Sequence, residues 1–460
     1  MFSFAVVATA VAAFAGSSPK PDGPSHVAMI RRPPSHDELL ALRRRRRDHR
    51  AERSQPEAPS KAVAKLNGDI DKLGEYYMKL FIGGQIAELQ VDTGSSDLGL
   101  PAVGCRGCEE HVDAWYDPTR GGATKIACGT VGFGCNPCHY GQCAFDISYA
   151  DGSGFRAALW TDQIALDEIG TLNVTAPVGA IYMKHKGEFE PKAVNGIIGF
   201  AYRSIASANE WTLFEAWVDG ALLANVFAMC LTDHGGRLVL GGTGDEYTMG
   251  PFVYTPIIEE TYYVVNMTDL RVGGTSLGLP SKVYNDGGAI VDSGSTDIAL
   301  PQTAFDALVA RLNASCAAGT KLVGLCGEPS KQTIFDGYCV PLPRFSPTRH
   351  SQRHANSSIH RITVVATHSH SPFHQFALNA SEVAAWPTLE ITLGGGVTLS
   401  LNSSTYLTGD CGGSAGYYTT GIDASADGDG TVLGDVAMKP YTVVFDRAAK
   451  RVGFAPSRCS

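Results

Sequence analysis

The chain has 460 residues, 44% of them hydrophobic and 18% charged, a balance that builds real cores and excludes a mainly disordered protein. Fifty-two glycines and 24 prolines favour many short strands joined by turns over long helices. The net charge of −9 is unevenly placed: residues 1–60 hold 10 basic and 6 acidic side chains, so the other 400 carry 27 against 40, a net of −13. An acidic body of this kind excludes nucleic-acid binding, which needs clustered Lys and Arg to meet phosphates.

In chain order, the first element is an apolar stretch from Phe2 to Phe14. Ala13-Phe14-Ala15 fits the small-x-small rule of signal peptidase, so residues 1–15 read as a signal peptide cut before Gly16. A plastid-directed leader and a buried N-terminal strand are the alternatives that this pattern leaves open. Residues 16–66 read as a pro-segment or linker, rich in Pro and Ser and carrying five adjacent cations at Arg43–Arg47. Such a run stays solvated unless an acidic surface receives it. It would suit a convertase site or a segment that neutralises acidic groups in a cleft. No later apolar run reaches the roughly 18 residues of a membrane span, and there is no hydrophobic C-terminal tail, so no stable membrane anchor is expected.

Strands dominate from about Gly74. Tyr76–Ile82, the turn Gly83-Gly84 and Ile86–Val91 spell strand, turn, strand. The second strand runs into Asp92-Thr93-Gly94-Ser95-Ser96. Two hundred residues later Ala289-Ile290-Val291 runs into Asp292-Ser293-Gly294-Ser295-Thr296, and the stretches that follow, DLGLP and DIALP, match as well. This is an internal repeat. Asn195-Gly196-Ile197-Ile198-Gly199 and Gly430-Thr431-Val432-Leu433-Gly434 form a second repeated pair, each placing two apolar residues before a glycine downstream of an Asp loop. Two related lobes, each donating one carboxylate, are the expected organisation. Their boundaries are set at 67–255 and 256–460.

Between the Asp loops, six cysteines fall from Cys105 to Cys143, half of the chain's 12. Cys105-x-x-Cys108 and Cys135-x-x-Cys138 have zinc-site spacing, but in an exported chain disulfides are the expected state, and no metal or other cofactor is assigned. Sequons at Asn173, Asn266, Asn313, Asn356, Asn379 and Asn402 are usable only on the secretory route. An extracellular or vacuole-like compartment is therefore expected. Phe145–Ser148 alternates into Tyr149-Ala150-Asp151-Gly152, which reads as a hairpin. Residues 344–385 form an atypical insertion holding six of the 13 histidines. A long solvated insertion or a translated intron explains it better than a His-rich metal loop.

The chemistry follows from the paired Asp loops. Two carboxyls held a few ångströms apart cannot both ionise easily, so they share one proton. The ionised member can then serve as base toward water and the protonated one as hydrogen-bond donor to a reacting oxygen, with no metal or covalent intermediate required. Asp92 and Asp292 are the expected dyad, and Gly94 and Gly294 let the backbone turn tightly beside them.

With these motifs the chain resembles the pepsin-like aspartic endopeptidases over roughly residues 70–460. In the cysteine-dense segment it is similar to the plant, nepenthesin-type and protist branch. The endings Tyr441–Asp446 and Arg451–Ala455 are also similar to the family's C-terminal strands. The resemblance implies an all-β, two-lobed fold with a central substrate cleft, polypeptide substrates, synthesis as a zymogen, action in acid and a monomer. It implies that Thr93 and Ser293 brace the two loops, that Ser95 and Ser295 hydrogen-bond the dyad, and that Tyr149 and Gly152 belong to a substrate-covering flap. It also suggests bridges Cys339–Cys411 and Cys230–Cys459. Gly99 departs from the pattern, standing where many members carry a Trp that hydrogen-bonds the flap Tyr, and Ala157 replaces a frequent Gly. A catalytically silent peptide-binding or inhibitor protein on the same fold is the alternative, though such proteins usually lose a catalytic Asp.

Overall fold

The computed structural model describes residues 60–70, 74–108, 114–149, 153–185, 196–208, 212–327, 333–336, 376–409 and 417–459, all within the unit Pro59–Ser460. The expected signal peptide, most of the pro-segment, Gly152, Cys339, Cys411 and the histidines of the insertion lie outside the described residues.

The alternation read from Tyr76 to Val91 produces the hairpin Glu75–Ile82 and Gln85–Asp92. Tyr76, Met78, Leu80 and Ile82 are fully buried while Lys79 between them is exposed, the period-two pattern of a strand packed on one face. Ile82 pairs with Gln85, so the connection is Gly83-Gly84 alone. Both glycines have positive φ, 56° and 72°, as a two-residue turn matched to strand twist requires. Each such buried apolar side chain contributes on the order of 1.5–3 kcal/mol relative to exposure.

The all-β expectation is met. Among the described residues the largest sheet has 15 strands. Along it Ala62–Asp69, Glu75–Ile82, Gln85–Asp92, Gly196–Gly199, Leu98–Arg106, Val174–Lys184, Gly154–Ala165 and Gln142–Ser148 follow in spatial order. At its other end lie Gly235–Leu240, Phe227–Thr232, Tyr441–Asp446, Arg451–Pro456 and Val253–Pro256. A six-stranded sheet carries Ala289–Val291, Thr431–Leu433, Ile298–Pro301 and Ile422–Ser425, and a four-stranded one carries Met267–Val272, Leu389–Leu393 and Val397–Leu401. The longest described helix, Gln302–Ala317, buries Ala304, Leu308 and Leu312 at four-residue spacing, one helical face.

Ala62–Asp69 is a strand paired with both Gly235–Leu240 and Glu75–Ile82, although its first five residues fall within the range read as pro-segment. At the end of the atypical insertion, Asn379 caps the short helix Ala380–Ala384 in a capping box with Glu382. The cysteines pair as Cys105–Cys108, Cys128–Cys138, Cys135–Cys143, Cys316–Cys326 and Cys230–Cys459. The second Cys-x-x-Cys pair is therefore split between two bridges.

Candidate active site

Each Asp loop is held by the apolar-apolar-Gly strand of its own repeat. Gly196–Gly199 runs parallel to Gln85–Asp92, with Gly199 opposite Asp92. The chain then continues so that the Phe200 and Ala201 amides donate to the carbonyls of Asp92 (2.7 Å) and Ser95 (2.8 Å). Thr431–Leu433 runs parallel to Ala289–Val291 in the same way. There the Asp292 amide donates to the Leu433 carbonyl (3.0 Å), and the Asp435 amide to that of Ser295 (2.9 Å). The closing glycines have a steric reason. A Cβ on Gly199 would collide with the Ser95–Ser96 backbone, and one on Gly434 with the carbonyls of Ser295 and Asp297.

The two loops meet face to face. The Ser293 amide donates to Thr93 Oγ1 (2.9 Å) and the Thr93 amide to Ser293 Oγ (3.2 Å). Each hydroxyl passes its own proton across the junction, Thr93 to the Val291 carbonyl (3.0 Å) and Ser293 to the Val91 carbonyl (2.7 Å). Both side chains are fully buried. Within each loop the carboxylate receives two equivalent donors. Gly94 N–H (2.7 Å) and Ser95 Oγ bond Asp92, while Gly294 N–H (2.8 Å) and Ser295 Oγ (2.8 Å) bond Asp292. Each carboxylate lies over the other loop's glycine. A methyl on Gly94 would strike Asp292, and one on Gly294 would strike Asp92. The glycines thus let the two acids approach as well as letting the backbone turn.

Burial, and then the Asp292 charge beside it, hold the Asp92 carboxyl well above the usual carboxylate range, against the opposing hydrogen bonds from Ser95 and Gly94. More carboxyls crowd this region. Asp435, directly after the second closing glycine, is fully buried, and neither of its oxygens has a hydrogen-bond partner among the described residues. Burial first, then Asp292, Asp297, Asp92 and Glu75, push it far up. Asp297 is pushed to about 7 by burial and by Asp423, with which it hydrogen-bonds, and Glu75 to about 7 by burial. The equivalent residue of the first loop, Asp97, instead accepts from the Ser207 amide (3.0 Å) and hydroxyl (2.9 Å).

Tyr149 follows the strand Gln142–Ser148, and its amide bonds the Ser153 carbonyl (2.9 Å) at the start of the return strand. Its ring stands 6.1 Å from that of Phe155. Gly99 lies on the strand leaving the first Asp loop, opposite Ile197. Ala157 is fully buried in the return strand opposite Phe145. Sequence reading assigned nothing to Asp435, to the Asp297–Asp423 pair or to Phe155. Asp435 had a visible signal, its place after Gly434, whereas Asp423 meets Asp297 only through parallel strand pairing.

Residues 75–457 match the model of the family described as eukaryotic aspartyl protease. The chain belongs to the eukaryotic aspartyl protease family. It is 26% identical over 415 residues to a protein named Beta-secretase from Strongylocentrotus purpuratus, covering 84% of this chain and 66% of that one, just under two thirds. It is 24% identical to Pepsin B of Canis lupus familiaris, covering 80% of this chain and 76% of that one. It is also 24% identical to a protein named Aspartic protease from Phaffia rhodozyma, covering 81% and 74%. Among the described residues no helix is long and apolar enough to cross a membrane.

Proposed function

We propose that this member of the aspartyl protease family is an endopeptidase in which Asp92 and Asp292 share one proton and hydrolyse peptide bonds with water. The observation that carries the reading is the reciprocal cradle, with matched donors on each carboxylate and each acid seated over the other loop's glycine. Ser95 and Ser295 bond one oxygen of each carboxylate and the Gly94 and Gly294 amides the other, and on this reading that second pair of oxygens carries the shared proton and the water. The ionised member takes a proton from water as it attacks the carbonyl carbon, and the protonated member hydrogen-bonds the developing oxyanion. Collapse of the tetrahedral intermediate then needs one proton delivered to the leaving amine. Both carboxyls are within a proton's reach of each other, so the pair titrates as a unit.

Tyr149, with Gly152, is read as the flap that covers the substrate, and residues 67–255 and 256–460 as the two lobes. The crowd of carboxyls raised by burial favours an acid working range. The basic run Arg43–Arg47 ahead of an acidic body supports synthesis as a zymogen. Five bridges support passage through the secretory route to an extracellular or vacuole-like compartment. The cysteine-dense segment supports placement in the plant, nepenthesin-type and protist branch.

The test is peptidase activity of the processed protein in the acid range, with and without pepstatin, beside Asp92→Asn and Asp292→Asn. Inhibitable cleavage lost in both variants is the expected result. Folded, bridged protein that cleaves nothing at any pH would overturn the proposal and favour a silent peptide-binding role.

A further inference from the structure

A glycine at position 99 leaves a side chain's worth of space on the strand that carries the chain away from Asp92, and the structure shows what fills it. A Cβ on Gly99 would lie 2.6 Å from Cζ and 2.9 Å from Cε2 of Phe155. Phe155 is the second residue of Gly154–Ala165, the return strand of the hairpin that carries Tyr149, and it is fully buried. Its ring meets Phe145 at 6.0 Å and 64°, and Tyr149 at 6.1 Å and 52°, both within the range of favourable aromatic contacts. Tyr149 packs on the same apolar cluster, together with Ile147 and with Ile197, the residue opposite Gly99. One ring thus lies against both the strand leaving the Asp92 loop and the tyrosine.

We propose that Phe155 is the positioning residue for Tyr149, holding the tyrosine ring in place by aromatic packing across Gly99. The inference rests on the reading of Tyr149 as the flap residue. A planar ring wedged between a side-chain-free strand and the tyrosine fixes both the height and the tilt of the tyrosine ring. A leucine is smaller and offers the tyrosine no aromatic ring to pack against. The pairing is also exclusive: position 99 stays small because Phe155 occupies its space.

The experiment is a cycle of Phe155→Leu, Gly99→Ala and the double variant. It reads melting temperature, kcat and KM on an acid-range peptide substrate, and hydrogen exchange of the amides from Ser148 to Gly154 in the free protein. Gly99→Ala alone is expected to lower the melting temperature, because its Cβ collides with the phenyl ring. Phe155→Leu is expected to lower kcat about tenfold, as misplacement of a positioned group does, and to speed exchange of the Tyr149 amide. In the double variant the alanine methyl occupies space the ring has vacated. Melting temperature should recover while kcat stays low and exchange stays fast. Recovery of kcat in step with melting temperature would overturn the proposal, because the ring would then serve only the core. Unchanged kcat and exchange in Phe155→Leu would overturn it too. If the unaltered protein cleaves nothing, the endopeptidase reading fails, and the exchange data alone still decide whether Phe155 holds Tyr149.

Discussion

Replacing Thr93 by valine keeps the shape of the side chain and removes one oxygen from the junction between the Asp loops. That oxygen accepts from the Ser293 amide at 2.9 Å and donates to the Val291 carbonyl at 3.0 Å, with no solvent exposure. Two backbone groups lose a buried partner, and each loss costs about 1–3 kcal/mol, so Thr93→Val should destabilise the protein by about 2–6 kcal/mol. Against a usual total of about 5–15 kcal/mol that is a large effect. Ser293→Ala removes the mirror pair, the bonds to the Val91 carbonyl and the Thr93 amide, and should cost a similar amount. If the four bonds act as one junction, the double variant will cost less than the sum of the singles. Denaturant midpoints at constant slope measure the stability, and turnover of an acid-range peptide measures the site. Because the bonds set the spacing of the carboxylates, kcat should fall about a hundredfold even in the folded fraction. A loss below about 1 kcal/mol with full kcat would refute the view that these hydroxyls hold the loops together.

Alanine at Gly94 or Gly294 should abolish turnover while leaving the rest of the fold measurable by circular dichroism, since each new methyl strikes the opposing carboxylate. Stability should fall as pH rises. Asp297 and Glu75, pushed to about 7, are neutral in the folded protein at pH 5 but ionised in the unfolded chain, so their contribution is full below about pH 4 and lost as pH climbs through 7. Asp297→Asn, whose amide donates to Asp423, should flatten this decline by a few kcal/mol between pH 4 and 8; an unchanged slope in urea midpoints would count against the buried acid pair. Opening the Cys230–Cys459 bridge by Cys230→Ser with Cys459→Ser should cost about 3–5 kcal/mol, given 229 residues of separation, and leave the kcat of folded protein unchanged.

The hairpin from Tyr76 to Val91 was legible because its alternation and its Gly-Gly turn are both local signals. The Asp loops were legible because they recur, and the closing glycines because they stand in register with them. What depended on distant chain was not readable in the sequence. Cys138 and Cys143 face each other across a strand pair, yet each bridges a different cysteine, and spacing carries no trace of that choice. Asp423 becomes the neighbour of Asp297 only when Ile422–Ser425 pairs parallel with Ile298–Pro301. Phe155 carries no local signal that sets it apart from other apolar strand residues. Its ring fills the space left by the absent side chain at Gly99, 56 positions earlier. Ala62–Asp69, with its lysine, asparagine and glycine, gave too weak a pattern to be separated from the polar leader, and its place was set by two neighbouring strands.

The strand Tyr441–Asp446 pairs with Phe227–Thr232, with Phe445 opposite Phe227, and the nearly fully buried Arg447 then reaches Glu215 at 2.7 Å. Arg451–Pro456 adds to the same sheet. Phe227–Thr232 therefore waits for Tyr441–Asp446 and Arg451–Pro456 before the large sheet is complete. During synthesis from the N-terminus, that sheet stays open at Phe227–Thr232 until Tyr441–Asp446 has emerged. Thr431–Leu433, which holds the second Asp loop, emerges only shortly before. A chain stopped before Thr431 would be born without either support, and a nascent one has no closing strand for its second Asp loop until Thr431–Leu433 is made.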